Sequence, residues 1–413
     1  MSREWLRRWV LLAVLVLTAG LALAACGGDD ETAGGETEGG GETVGLGDLP
    51  AAGSETGAAD TGASGGGAGA IDGGGALIVV LMPSTTNNYL AEWVKGAREE
   101  AGRLNYELKI IENNFDQAEQ DVQVQQQLAS GDEPVSYVWW PADNRAGIAS
   151  LQALADTGIP VVQTNQLPLP EVDDIVAAYA GVNDVLNGQV SAELLMKSRD
   201  VLTASGHELA SEGGNVIIIS FPAGYSAGDD RIKGFEEATA TAPFNVLATE
   251  NAGFDAETGY NAASALIPAN KDKGIDFVYA TNDALAKGVI QALEENGYKP
   301  GKDVMVVGGT CHGDLSELEA AKQFGSGLQA ARLEGVFSVN VVARYIASGG
   351  EVQAGDYNAP DDPDAQPEFE GAPFKRNFIP NPGVELGTDP ATAVGAIDAT
   401  NLWGFGFRDL CTY

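Results

Sequence analysis

Side chains that can hydrogen-bond a polar ligand recur directly after short apolar runs. Ser84-Thr85-Thr86-Asn87-Asn88-Tyr89 follows the run 76–82. Trp139-Trp140-Pro141-Ala142-Asp143-Asn144 closes the run 135–140, and Asn165-Gln166 follows 159–164. Further on come Phe254-Asp255, Thr281-Asn282-Asp283 and Thr310-Cys311-His312. Amide and carboxylate groups donate and accept in fixed directions, which suits a ligand rich in hydroxyls. Aromatic faces suit the apolar side of such a ring. A single Asn at such a place is usually a turn or a helix cap. The recurrence is what points to binding. Of the two tryptophans, Trp140, beside Pro141, is the better candidate for a cleft, and Trp139 reads as core. His312 reads either as a ligand contact or as a solvated loop histidine.

The runs that precede these groups are apolar and rich in β-branched residues, as strands are. They lie at 76–82, 107–112, 135–140, 159–164 and 175–180, then at 215–220, 245–250, 276–281 and 303–308. Helix-period segments separate most of them. Leu90, Trp93, Ala97, Ala101 and Leu104 have the spacing of a helix with one buried stripe. Strand and helix in alternation predict parallel sheets covered on both faces. The chain also resembles itself. Gly74-Gly75-Ala76-Leu77-Ile78-Val79-Val80 matches Gly213-Gly214-Asn215-Val216-Ile217-Ile218-Ile219, and Lys95-Gly96-Ala97 matches Lys233-Gly234-Phe235. The fold class expected is therefore α/β, with two similar doubly wound parallel-sheet domains. Ligands of open α/β sheets bind beyond the carboxyl ends of the strands, so two facing domains would make an interdomain cleft.

The flanking segments set the compartment. With 413 residues, 59 acidic and 23 basic, the chain carries −36, which argues against nucleic acid and anionic membrane surfaces as partners. Two His and three Cys give no dedicated metal cage, and neither metal nor cofactor is expected. Residues 1–26 read as a signal peptide: Arg3, Arg7 and Arg8, an apolar stretch, then Leu23-Ala24-Ala25-Cys26. That ending resembles the lipobox of bacterial lipoproteins, which implies a lipid on Cys26 and attachment to the outer face of the cell membrane. Residues 27–75 hold 19 Gly and ten acidic residues, with no basic or aromatic one, and read as a flexible tether with a reach of roughly 40 Å.

Across about 76–350 the chain resembles type I periplasmic binding proteins of the ribose and galactose group, the receptors of ABC sugar importers. The resemblance rests on Thr85-Thr86-Asn87-Asn88, Pro141-Ala142-Asp143, Ile159-Pro160-Val161-Val162, Val278-Tyr279-Ala280-Thr281-Asn282-Asp283 and Val304-Met305-Val306-Val307-Gly308, in order and at matching spacing. It implies two lobes joined by three crossovers, near 180–183, near 329–332 and within 350–376. One lobe would span 76–181 plus about 330–350, the other 182–329. It also implies that Asn88 and Asp143 bind sugar hydroxyls, joined by Asn282, Gln329 and the aromatic Phe254. The chain departs from the pattern at Gln166 and Asp229, where the family has Arg, although Arg231 matches a further family Arg. It departs again at Tyr89-Leu90, where paired Phe is usual, and at Thr310-Cys311-His312, where Asp is usual. The ligand set expected is Asn88, Tyr89, Trp140, Asp143, Asn165, Gln166, Arg231, Phe254, Asn282, Thr310 and Gln329.

The reading is thus a monomeric extracytoplasmic lipoprotein that binds a small, polar, sugar-like ligand and passes it to an ABC permease, with no catalytic residue. A receptor feeding a membrane sensor is the alternative output. A hydrolase is the alternative activity, because Gly224-Tyr225-Ser226-Ala227-Gly228 satisfies a nucleophile motif. Its spacing from the preceding strand is too loose for a nucleophile elbow. Once Cys26 is lipidated, Cys311 and Cys411 are expected to pair outside the membrane, and closing about 100 residues would add about 4–5 kcal/mol. Residues 351–413 read as an acidic loop followed by a tail docked on the body.

Overall fold

Strand β1 (Ala76–Pro83) is buried over its last six residues without alternation, as a strand covered on both faces must be. It lies inside the first of two sheets, between β3 (Ser136–Trp139) and the edge strand β2 (Tyr106–Asn113). In this computed structural model the described residues are 71–172, 174–350, 376–379, 381–402 and 405–412. The expected signal segment, Cys26, most of the tether and the acidic loop lie outside them.

The first lobe runs β1, α1 (Asn88–Arg103), β2 (Tyr106–Asn113), α2 (Gln117–Leu128), β3 (Ser136–Trp139), α3 (Ile148–Ala155), β4 (Val161–Thr164) and β5 (Ala178–Gly181). The second repeats the plan with α4 (Asp184–Ala204), β6 (Asn215–Ser220), α5 (Ser226–Thr239), β7 (Asn245–Asn251), α6 (Ala256–Asn270), β8 (Phe277–Ala280), α7 (Asp283–Glu295), β9 (Met305–Thr310), α8 (Ser316–Glu319) and β10 (Gly325–Leu328). Helix α9 (Ala331–Ala347) returns to the first lobe. Then come β11 (Arg376–Phe378), β12 (Gly383–Glu385), α10 (Pro390–Ala399), a short ribbon of β13 (Asn401–Leu402) and β14 (Phe405–Gly406), and α11 (Phe407–Cys411). The strand orders are β11-β5-β4-β3-β1-β2 and β12-β10-β9-β8-β6-β7. Five parallel strands of each sheet share one order, which is the internal resemblance of the sequence made visible.

The chain changes lobe between β5 and α4, between β10 and α9, and between β11 and β12. The first two changes fall where expected. The third lies at 379–382 rather than within 350–376, because β11 still pairs with β5 of the first sheet before β12 pairs antiparallel with β10 of the second. The folded body also begins before residue 76. Ile71 packs on the first core, the Gly73 amide donates to the Leu104 carbonyl at 2.7 Å, and Asp72 accepts from Asn105 Nδ2 at 2.7 Å.

Helices cover each sheet in pairs that meet through glycine. A Cβ on Gly96 of α1 would overlap the Arg332 carbonyl of α9, and one on Gly335 of α9 would overlap the Trp93 carbonyl of α1. Helices α4 and α5 repeat this reciprocity through Gly188 and Gly234. The repeated Lys-Gly sequence therefore marks backbone-to-backbone helix contacts, at which any side chain is overpacked. Gly96→Ala is expected to cost about 1–3 kcal/mol in urea denaturation. Gly102→Ala, on the same helix with nothing near it, should be neutral or stabilise by up to about 1 kcal/mol. Equal effects of the two would contradict this account of the helix pairs.

Candidate ligand-binding site

The loops at the carboxyl ends of the two sheets face each other across a cavity of about 40 Å³. Its walls are aromatic. Phe115 follows β2 and Phe254 follows β7, and their rings meet across the cleft at 5.0 Å. Each precedes an Asp that caps the next helix: Asp116 accepts from the Ala118 and Glu119 amides, and Asp255 from the Thr258 amide. Phe221 and Tyr225 pack on Phe254 at 5.1 and 4.9 Å. Tyr89 lies edge-on to Trp140 at 6.3 Å.

Behind these rings runs a continuous buried polar chain. Arg231, 2% exposed, donates from Nε to Asp184 Oδ1 at 2.8 Å, and from its terminal nitrogens to the Thr281 and Gly309 carbonyls and to Gln329 Oε1. Gln329 Nε2 donates to the Tyr89 hydroxyl at 2.9 Å, which donates to Glu334 Oε2 at 2.8 Å. Asn165 Nδ2 faces the same carboxyl at 3.4 Å. Asn165 Oδ1 accepts from the Tyr225 hydroxyl at 2.7 Å, and that hydroxyl accepts from Trp140 Nε1 at 3.1 Å. Tyr225 belongs to the second lobe, so its hydroxyl joins the lobes directly.

Burial tunes the charges. It raises the Glu334 carboxyl to about 8, against the pull of Tyr89 and Asn165. Loss of water, with the charge of Arg231, lowers the His312 imidazole to about 4. Burial raises the Asp283 carboxyl to about 6, although Gln323 and Ser326 hydrogen-bond it. Among the described lining residues the one ionised side chain is Arg231, and none is a carboxylate.

The structure brings together Tyr89, Trp140, Asn165, Arg231, Phe254, Asn282, Thr310 and Gln329, all expected at the site. Three expected residues do not line the cavity. Asn88 is exposed as the first residue of α1; its neighbour Asn87 caps that helix and does line the cavity. Asp143 Oδ1 accepts from the Arg145 and Ala146 amides at 2.9 and 2.8 Å, which holds that oxygen to its own loop, while Oδ2 lies against Gly224 of the opposite lobe. Gln166 Oε1 accepts from the amide and hydroxyl of Ser226 at 3.0 and 3.1 Å, clasping the opposite lobe. Ser226 Oγ also receives Asn144 Nδ2 at 3.0 Å. Its partners are amides, and none is a base that could activate a nucleophile. Asn282 lines the cavity but also caps α7, accepting from the Leu285 amide at 2.7 Å.

The loop after β9 presents two further groups, Thr310 and His312, with Thr310 Oγ1 2.7 Å from His312 Nδ1. Thr310 and Cys311 have φ of 149° and 54°. Such backbone costs about 1–3 kcal/mol per residue and persists only where the surroundings fix it. Cys311 is bonded to Cys411, with Cα atoms 5.1 Å apart, as the sequence led us to expect.

Glu334 yields a test in pH. Its folded carboxyl keeps a proton to about 8, whereas an ordinary one loses it near 4.5. Its contribution to stability is therefore complete below about pH 4.5 and is lost as pH rises towards 8. Asp283 titrates near 6 and unfolded His312 near 6.5, and above pH 6.5 His312 opposes Glu334 by less than about 0.5 kcal/mol, so Glu334 dominates the interval from 6.5 to 8. The protein should lose roughly 2 kcal/mol across that interval in denaturant titrations. Glu334→Gln should flatten the profile. An unchanged slope in that variant would show that another group is responsible.

Comparison with known proteins agrees with this architecture. Residues 78–351 match the family described as periplasmic binding protein domain. A ribose import binding protein of Escherichia coli (strain K12) is 30% identical over 231 residues, which covers 56% of this chain and 71% of that one. A D-ribose/D-allose-binding protein of Pseudomonas aeruginosa is 23% identical, over 65% of this chain and 82% of that one. The solved structure of a galactofuranose binding protein superposes with a TM-score of 0.62 at 21% identity, covering 78% of this chain and 97% of that one. A periplasmic ribose ABC transporter structure from Conexibacter woesei gives 0.59 at 18%, covering 80% and 98%. With that match over most of the folded body, the chain belongs to the periplasmic binding protein family, in the group that holds the ribose import binding proteins.

Proposed function

We propose that this protein is an extracytoplasmic receptor that captures one small, uncharged, sugar-like ligand between its lobes and presents it to an ABC importer. The observation that carries this reading is the interlobe cleft itself, which sets aromatic faces beside amide and hydroxyl groups and has no carboxylate in its lining. Near pH 7 the Arg231 charge is balanced by Asp184, while Glu334 and His312 are neutral. A neutral polyhydroxylated ring suits such a site. A strongly charged ligand would leave a buried charge unpaired. The relatives named for ribose and for ribose and allose support the same class.

Sites for small molecules usually enclose about 300–1,000 Å³, far more than the cavity here. Binding therefore requires the lobes to part about the three crossovers and to close again over the ligand. Tyr89, Trp140, Asn165, Phe254, Thr310 and Gln329 make the contacts. Asn88, Asp143 and Gln166 act at the rim, by shaping loops and clasping the lobes. The chain has no catalytic role in this reading, and Ser226 serves as a clasp. Among the described residues no helix is long and apolar enough to cross a membrane, and a lipid on Cys26 supplies the anchor.

Calorimetry of the mature protein against pentoses, hexoses, deoxy sugars and polyols should find a ligand bound with negative heat-capacity change. Phe254→Ala should weaken that binding about tenfold or more while the fold survives. No binding across the panel, together with ester cleavage that Ser226→Ala abolishes, would overturn the receptor reading. For the anchor, Cys26→Ser should release the protein from the membrane fraction; unchanged retention would refute lipidation.

A further inference from the structure

The family match ends at residue 351, yet the last residues of the chain return to the cleft. The loop that follows β9 is held in an unusual path. Thr310, Cys311, Gly313 and Leu315 all have positive φ, at 149°, 54°, 119° and 58°. A β-branched residue rarely takes such a value. Three restraints come from the loop's own lobe: Thr310, the last residue of β9, pairs with Leu328 of β10, the Cys311 amide donates to Ser326 Oγ at 3.1 Å, and the His312 amide donates to Asp283 Oδ2 at 3.2 Å. Two more come from the tail. Cys311 is bonded to Cys411, and Gly313 forms a parallel bridge with Thr412.

The tail is itself firmly seated. Phe407 and Leu410 of α11 share one apolar cluster with Ile397 of α10 and with Leu315 and Leu318 beyond the loop. Arg408 pairs with Asp398 at 2.9 Å and with Glu319 at 2.5 Å. On the other side of the loop, Thr310 and His312 line the cavity, and the His312 ring stands edge-on to Tyr89 at 6.3 Å. One short loop thus joins the tail on one face to the cleft on the other.

We propose that the C-terminal helices α10 and α11, with Thr412, are a positioning part of the binding site. The Cys311–Cys411 bond and the Gly313–Thr412 bridge fix the backbone that aims Thr310 and His312 into the cleft. Cys311, Cys411 and α11 are positioning residues, because none of them needs to touch the ligand. This deepens the receptor reading and rests on it for the affinity measurement alone.

The test compares the mature protein with Cys311→Ala/Cys411→Ala. The chain has two histidines, so the His312 imidazole can be titrated by NMR. In the parent it should titrate near 4. In the double variant the freed loop should let it rise by at least about one pH unit towards the ordinary value of about 6.5. A role in stability alone would leave the native-state titration unmoved. The affinity for whichever panel sugar binds the parent should fall about tenfold or more. If the double variant does not fold, Phe407→Ala keeps the disulfide, and amide exchange at 311–313 should become about tenfold faster. Unchanged His312 titration with affinity within about twofold, or unchanged exchange in Phe407→Ala, would overturn the proposal. If no sugar binds the parent, the receptor reading fails, while the His312 titration still decides the positioning claim.

Discussion

The ion pair between Arg231 and Asp184 is the interaction on which the geometry of the cleft depends. Both side chains are almost entirely removed from water, and a buried charge left without its partner typically costs about 3–5 kcal/mol. The pair therefore cannot rearrange cheaply. Asp184 opens α4 directly after the first crossover, and Arg231 also grips Gln329 in the second. Gln329 holds Tyr89, and Tyr89 holds Glu334. A charge buried in one lobe thus sets the position of a ring in the other, through the segment about which the lobes must turn. Gly181, the last residue of β5 before the first crossover, lies so close to the Asn165 amide, the Tyr179 hydroxyl and Glu334 that a side chain there would overlap all three. Both crossovers therefore meet the same buried chain.

Closure and recognition are linked by this arrangement. The groups that line the cavity include those that join the lobes. Trp140 and Asn165 of the first lobe both bond the Tyr225 hydroxyl of the second. A sugar hydroxyl offers the same pair of contacts, one accepted and one donated, so a ligand can replace Tyr225 without leaving either partner unsatisfied. The paired Phe115 and Phe254 supply apolar faces from opposite lobes, and the balanced charge of the interior favours neutral ligands. In the proposed receptor, such a cleft would select for shape and hydroxyl pattern more than for charge.

Much of this was legible in the sequence. The nine apolar runs all became strands; the interior ones are buried on both faces and have no polar face to blur their pattern, while the edge strands β2 and β7 were carried by their β-branched residues. The two-lobe plan was visible in the repeat, and the Cys311–Cys411 pairing in the compartment. Strand β10 was missed because Gly325 and Gly327 look like a turn. A Cβ at Gly327 would press on Asn187 of α4, so the glycines serve helix packing on a strand. Phe115 was missed although Phe115-Asp116 repeats as Phe254-Asp255 at the same offset as the two lobes; comparing strand ends between lobes would have found it. Asp143 enters the ligand set by resemblance, but the competing turn pattern decides its Oδ1, which accepts from the Arg145 and Ala146 amides. The clasp formed by Gln166 and Ser226 was hidden, since it exists only when the lobes meet.

The central claim is that binding is closure of two lobes over a ligand that the closed cleft is too small to admit. Val122 on α2 and Val246 on β7 are exposed, at 55% and 46%, and stand on opposite lobes, so spin labels placed there would perturb little. The interlobe distance distribution, measured by pulsed electron resonance on the mature protein, tests the claim most directly. The account predicts a broad distribution reaching longer distances without sugar, which collapses to one short distance when a sugar that binds by calorimetry is saturating. A distribution that the bound sugar leaves unchanged would contradict it.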